Sequence, residues 1–206
     1  MTHIICFGDS ITRGENDSEK GGWANRLKAY CMELFLKNRK NEICVFNMGI
    51  GGETTEGLVK RFVNEFDTRL LKDGNNIVTL AYGTNDIALL NDKNTVSLEK
   101  FRDNLNLCID HALKQKATVY LINILPILEE ESTTKKRAIE DVVKYNDMLL
   151  SIAQKQNIHF IDVHSKFNIT KEDLLTYDGV HPNAKGHEKA FNLIKEAIFS
   201  KSQLTS

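Results

Sequence analysis

The sequence lacks any long hydrophobic run: its apolar stretches fall well short of the ~20 residues a membrane span needs. An integral membrane segment is therefore not expected. Charge of either sign is not in excess, since 27 Lys and Arg stand against 28 Asp and Glu. That balance gives no electrostatic basis for binding nucleic acid or an anionic membrane surface. Proline is scarce, with only Pro126 and Pro182, and no linker, repeat or low-complexity tract divides the chain. We expect one domain over residues 1–206, large enough to bury a substantial core. Cysteine is sparse as well: Cys6, Cys31, Cys44 and Cys108 form no C-x-x-C pair and read as small buried hydrophobes. Met1-Thr2-His3 leads straight into an apolar run, without the basic region or cleavage-like site of a signal peptide. A reducing, cytoplasmic setting is the expectation.

What the chain does contain is regular alternation. Five short runs rich in β-branched residues read as strands: HIICF (3–7), ICVFNM (43–48), IVTLAY (77–82), TVYLINIL (118–125) and HFIDV (159–163). Most are apolar throughout, as strands covered on both faces should be. Between and after them lie stripes at helical spacing. They are Trp23, Leu27, Cys31, Leu34 and Phe35; Leu58, Phe62, Val63, Phe66 and Leu70; and Leu98, Phe101, Leu105, Cys108, Ile109 and Ala112. Two more follow, Ile139, Val142, Val143, Leu149, Leu150 and Ala153, then Ala190, Phe191, Ile194, Ala197 and Ile198. Strict β-α alternation implies a parallel sheet with helices on both faces. The chain is too short for a (β/α)₈ barrel, so the predicted fold is an α/β/α three-layer sandwich. Its five-stranded, doubly wound sheet takes the flavodoxin-like order 2-1-3-4-5.

Ligands of such sheets sit beyond the carboxyl ends of the strands, so the residues that follow each strand carry the functional question. The first strand breaks at Gly8-Asp9-Ser10, the second at NMGIGGETT, the third at GTND. After the fourth come Pro126 and the acidic run Glu129–Glu131, read as a solvated loop. After the fifth, an excursion from His164 to Tyr177 leads to Asp178-Gly179-Val180-His181-Pro182. In the order 2-1-3, Ser10, Gly52 and Asn85 stand side by side at roughly 5 Å strand spacing. The excursion, at up to ~3.3 Å per residue, is long enough to return Asp178 and His181 over Ser10.

Those residue types suit one chemistry. A serine hydroxyl needs an adjacent base, usually a histidine whose second nitrogen is held by a carboxylate. Asp178 and His181 are three apart, close enough for a tight turn to pair them. Attack on an ester carbonyl also needs donors for the developing oxyanion, and the candidates are the N–H groups of Ser10 and Gly52 and the amide of Asn85. Asp9 reads as a brace of the turn and Asp86 as a cap or supporting group. Gly49 and Gly51 read as loop-shaping, with Gly51 the alternative to Gly52 as donor. His3, His111, His159, His164 and His187 show no metal-ligand spacing. GIGG is not a dinucleotide fingerprint, and the G-x-S-x-G elbow of α/β-hydrolases is absent.

In order along the chain, GDSI, NMGIGGETT, GTND and DGVHP resemble the blocks of the SGNH hydrolases, also called GDSL esterases and lipases. Ile11 stands where the family's nickname has leucine, a volume-conserving change. The resemblance implies Ser10 as nucleophile, His181 as base and then acid, and Asp178 as orienting carboxylate. It implies an oxyanion hole from Ser10, Gly52 and Asn85, no metal and no cofactor. The expected activity is hydrolysis of a small-molecule carboxylic ester, with a short acyl group such as a carbohydrate O-acetyl ester, or of a lysophospholipid-type ester. An acyltransferase or thioesterase using the same triad, or a silent acyl- or sugar-binding module, are the rival expectations. Ile87, Ala88, Leu89 and Leu90 could line an acyl pocket or pack beneath the next helix.

Overall fold

Apolar runs that cannot be left in water, interrupted by turn residues, dictate the architecture. The computed structural model describes residues 1–129, 135–167 and 175–200. Strands β1 (Thr2–Gly8), β2 (Ile43–Gly49), β3 (Asn75–Ala81), β6 (Thr118–Ile122) and β7 (His159–Ile161) form one sheet in the order β2-β1-β3-β6-β7. All of its pairings are parallel. This is the 2-1-3-4-5 order expected of the five long runs. Helices α2 (Trp23–Asn38) and α6 (Ala184–Phe199) cover one face; α3 (Thr55–Arg69), α4 (Leu98–Lys114) and α5 (Ile139–Gln156) cover the other. Within β1 the two-residue period sends Ile5 and Phe7 to the α3–α4–α5 side and Ile4 and Cys6 to the α2–α6 side.

Two features differ from the sequence expectation. A two-stranded antiparallel hairpin, β4 (Leu89–Leu90) with β5 (Lys93–Asn94), follows the GTND loop. It turns at Asn91 and Asp92, both at positive φ (50° and 58°), the backbone of a tight hairpin. Some buried faces are also narrower than the apolar spacing implies: Val63, Ile139, Val143 and Leu150 are exposed, while Tyr145 and Ile152 occupy the inner face of α5. A helix lying on a sheet buries only one side, and residues flanking that stripe remain in solvent. Ile87 and Ala88 are fully buried, Ile87 in the core against α4, and Leu90 is exposed. The expected acidic loop at 130–131 and residues 168–174 of the excursion lie outside the described residues.

Candidate active site

The register of the sheet levels its strand ends. Gly8 at the end of β1 pairs with Gly49 of β2 and Ala81 of β3, so the three loops leave the sheet from one line. Beyond Gly8 the chain turns at once into the short helix α1 (Ser10–Arg13), whose N-cap Asp9 accepts a hydrogen bond from the Ile11 N–H at 2.9 Å. The turn is tight because Gly8 has no side chain: a Cβ there would meet Thr12 Oγ1 at 2.0 Å. Ser10 is therefore the first residue of a helix that springs directly from the central strand.

The segment before α6 carries the base. Asp178 Oδ1 accepts from the backbone N–H groups of Val180 and His181, at 3.0 and 2.9 Å, and from Thr176 Oγ1 at 3.0 Å. Gly179 turns the chain at φ +67°. That closed turn leaves Oδ2 facing the imidazole, 2.6 Å from His181 Nδ1. On the other side of the ring, Nε2 lies 2.8 Å from Ser10 Oγ. A carboxylate can only accept, so Nδ1 carries the proton toward Asp178 and Nε2 accepts from the hydroxyl. Burial pushes the Asp178 carboxyl up, but the His181 and Val180 N–H groups outweigh it and hold the carboxyl below its ordinary range. The chain has thus brought together residues 10, 178 and 181.

The second and third loops supply donors. Gly52 has φ +75°, and a Cβ on it would meet nothing within 4 Å. Neither Gly51 nor Gly52 commits its N–H to a partner among the described residues, whereas Ile50 and Glu53 do. Asn85 Nδ2 donates to the Glu53 carbonyl at 3.1 Å and is held more loosely, at 3.4 Å, against Asp9 Oδ2. Both N–H groups thus have an acceptor, and the long bond to Asp9 Oδ2 is the weaker of the two, the one a ligand oxygen can displace. Burial pushes the Asp9 carboxyl up to about 6, against the opposing pull of the Ile11 N–H, His181 and Arg137. Asp9 is buried and caps α1, the bracing role expected of it.

Several supporting groups escaped the sequence reading. Glu53 is gripped by Arg61 and by the Tyr82 hydroxyl, both at 2.6 Å, which fixes the loop that carries Gly52. Thr176 shares Asp178 Oδ1 with the backbone. Arg137, in the run Lys135-Lys136-Arg137 that looks like a solvated patch, is buried and donates from Nε to the Thr84 carbonyl at 2.7 Å. Its only sequence signal was its place beside the start of α5. Asp86, read as a cap, does cap: its Oδ1 accepts from the N–H of Thr55 at 2.9 Å and from its hydroxyl at 2.5 Å. His187, one of the histidines without metal-ligand spacing, is buried with Nε2 3.0 Å from the Glu15 carbonyl.

Comparison with known proteins agrees with the fold. A sequence profile of the GDSL-like lipase/acylhydrolase family matches residues 6–189. The chain is 34% identical to the uncharacterized lipoprotein YqeF of Bacillus subtilis over 132 residues, 61% of this chain and 49% of YqeF. It thus spans about half the length of that relative. It is 25% identical over 217 residues to the GDSL esterase/lipase At5g62930 of Arabidopsis thaliana, covering 95% of this chain and 84% of that protein. Among solved structures, the acetyl xylan esterase AlAXEase superposes with a TM-score of 0.76 at 22% identity, over 96% of this chain and all (100%) of the other.

Proposed function

The chain belongs to the GDSL-like lipase/acylhydrolase family, a family of carboxylic ester hydrolases, and we propose that it works as a serine esterase with Ser10, His181 and Asp178 as its triad. The observation that carries the reading is the continuous chain of short contacts from Ser10 Oγ to His181 Nε2 (2.8 Å) and from His181 Nδ1 to Asp178 Oδ2 (2.6 Å). As Ser10 Oγ attacks the ester carbonyl carbon, Nε2 takes the hydroxyl proton and Asp178 stabilises the imidazolium. The carbonyl π electrons move onto oxygen, where the N–H groups of Ser10 and Gly52 and the Asn85 amide meet the negative charge. Collapse expels the alcohol, which leaves with the proton from Nε2. Water, deprotonated by His181, then attacks the acyl-Ser10 ester and releases the carboxylic acid.

The acyl group is short in this reading. Ile87 and Ala88, which could have lined an acyl pocket, are packed in the interior. A carbohydrate O-acetyl ester is the substrate class that fits best, and the acetyl xylan esterase of the same fold supports that choice. Residues 1–206 are taken as one domain. The reading keeps the chain in a reducing, cytoplasmic compartment, on the strength of four unpaired thiols, three of them buried. Among the described residues no helix is long and apolar enough to cross a membrane.

The test is direct. Ser10→Ala protein should lose hydrolysis of p-nitrophenyl acetate and labelling by a fluorophosphonate probe; full activity in that variant would refute the nucleophile. A panel of esters of increasing acyl length, with acetylated xylooligosaccharides and a lysophospholipid, should show turnover falling as the acyl chain grows.

A further inference from the structure

The two ends of an asparagine amide have nearly the same shape and differ only in what they can bond. Both ends of Asn85 face groups of fixed polarity. Nδ2 lies 3.1 Å from the Glu53 carbonyl, which can only accept. Oδ1 lies 3.5 Å from Arg137 Nη2, which can only donate. A reversed amide would set carbonyl against carbonyl and NH₂ against guanidinium. The guanidinium is itself anchored by Nε to the Thr84 carbonyl at 2.7 Å and by Nη1 to the Lys135 carbonyl at 3.0 Å. It is buried at 5% exposure, so solvent does little to screen it.

We propose that Arg137 is a positioning residue for the reaction: it fixes the orientation of the Asn85 amide and polarises it, so that the Nδ2–H held loosely against Asp9 Oδ2 at 3.4 Å becomes a stronger donor to the oxyanion that takes Asp9's place. At 3.5 Å the contact is long for a hydrogen bond, and its effect is orientational and electrostatic. A cation at the amide oxygen draws electron density toward Oδ1 and leaves the N–H more positive. Fixing the amide before charge develops is what makes an oxyanion donor effective, because no dipole has to turn during the reaction. The inference rests on the reading of Asn85 as an oxyanion donor and extends it to a residue some fifty positions away.

The experiment is a double-mutant cycle on the whole chain, read by steady-state hydrolysis of p-nitrophenyl acetate. Asn85→Ala should lower kcat by about 10²–10³. Arg137→Met should lower kcat by about tenfold or more with KM within about threefold, and Arg137→Lys, which keeps the charge but not the fork, should fall between it and the parent. In the Asn85→Ala background, Arg137→Met should cost less than about threefold further, because the group it acts through is gone. Thermal unfolding and fluorophosphonate labelling of Ser10 identify variants that are folded with an intact nucleophile. Should Arg137→Met protein fail to fold, the cycle is run with Arg137→Lys. An unchanged kcat in the Arg137 variant, or the same fold-loss with and without Asn85, overturns the inference while leaving the oxyanion reading intact. Full kcat in Asn85→Ala overturns both together.

Discussion

A Cβ placed on Gly49 would stand 2.2 Å from the backbone nitrogen of Arg13 and 2.7 Å from Arg13 Cα and the Thr12 carbonyl carbon. All three are main-chain atoms of α1, the helix that begins with Ser10, so no rotamer change relieves the clash. Gly52 is the opposite case: a methyl there meets nothing, and only its φ of +75° opposes substitution. The two glycines, one ending β2 and one in the loop after it, therefore make separable predictions. Gly49→Ala should cost about 2–3 kcal/mol of stability, as overpacking does. Gly52→Ala should cost only about 1–2 kcal/mol, the ordinary penalty of a left-handed backbone, yet lower kcat/KM at least tenfold by standing where the ester must approach. Urea unfolding alongside kinetics separates the two. If Gly52→Ala keeps its kcat/KM, the donor in this loop is Gly51. At this scale the sequence reading singled out Ser10, Gly52 and Asn85 because they follow the ends of β1, β2 and β3, and Asp178 and His181 because a tight turn before α6 can pair them, and the structure brings Ser10, His181 and Asp178 into contact. It missed Arg137 and Glu53 because their meaning comes from contacts across the fold, Arg137 with Thr84 and Glu53 with Tyr82, which leave no local pattern.

Helix α3 has a start that its own residues do not supply. Its N-cap Thr54 makes no side-chain capping bond; Asp86, from the loop after β3, accepts from Thr55 instead, and Asn104 of α4 donates to the same Thr55 hydroxyl at 3.1 Å. This joins the loops bearing Gly52 and Asn85 through one buried carboxylate. Asp86→Ala would leave a buried N–H and hydroxyl without that acceptor, and should lower stability by about 1–3 kcal/mol. Asp86→Asn, which keeps an oxygen in place, should fall between, with both read from the urea midpoint. A parallel loss of kcat in Asp86→Ala would show that the cap also holds the loops at the rim. The elements themselves were legible because buried parallel strands and amphipathic helices carry strong periodicity. The β4–β5 hairpin was not: two-residue strands have no period, and Asn91-Asp92 as a turn signal points equally to an open loop.

Over the whole molecule, buried titratable groups pull stability in opposite directions with pH. Burial holds His187 down at about 4, with Asp17, Arg26 and His181 as its charged neighbours. Its folded value lies below the ordinary value of 6.5, so the stability it contributes is present above pH 6.5 and is lost as pH falls toward 4. Asp9 and Asp86 are pushed up by burial, each from 3.8 to about 6. Their contribution is fully present below 3.8 and is lost as pH rises through 6. Asp17 is held at about 2, despite the upward push of burial, by Arg26 and three backbone N–H groups, and its contribution fails as pH falls from 3.8 through 2. At roughly 1.4 kcal/mol per pH unit, the two raised carboxyls outweigh the single histidine between pH 6 and 4. The melting temperature should therefore be no lower at pH 5 than at pH 7.5, and should drop steeply only below about pH 4. His187→Gln, whose amide can still donate to the Glu15 carbonyl, removes the opposing slope. That variant should gain about 2–3 kcal/mol relative to the parent on going from pH 7 to pH 4.5. A variant whose pH profile runs parallel to the parent's would show that His187 titrates alike in the folded and unfolded chains, and that the loop it anchors does not depend on a neutral ring.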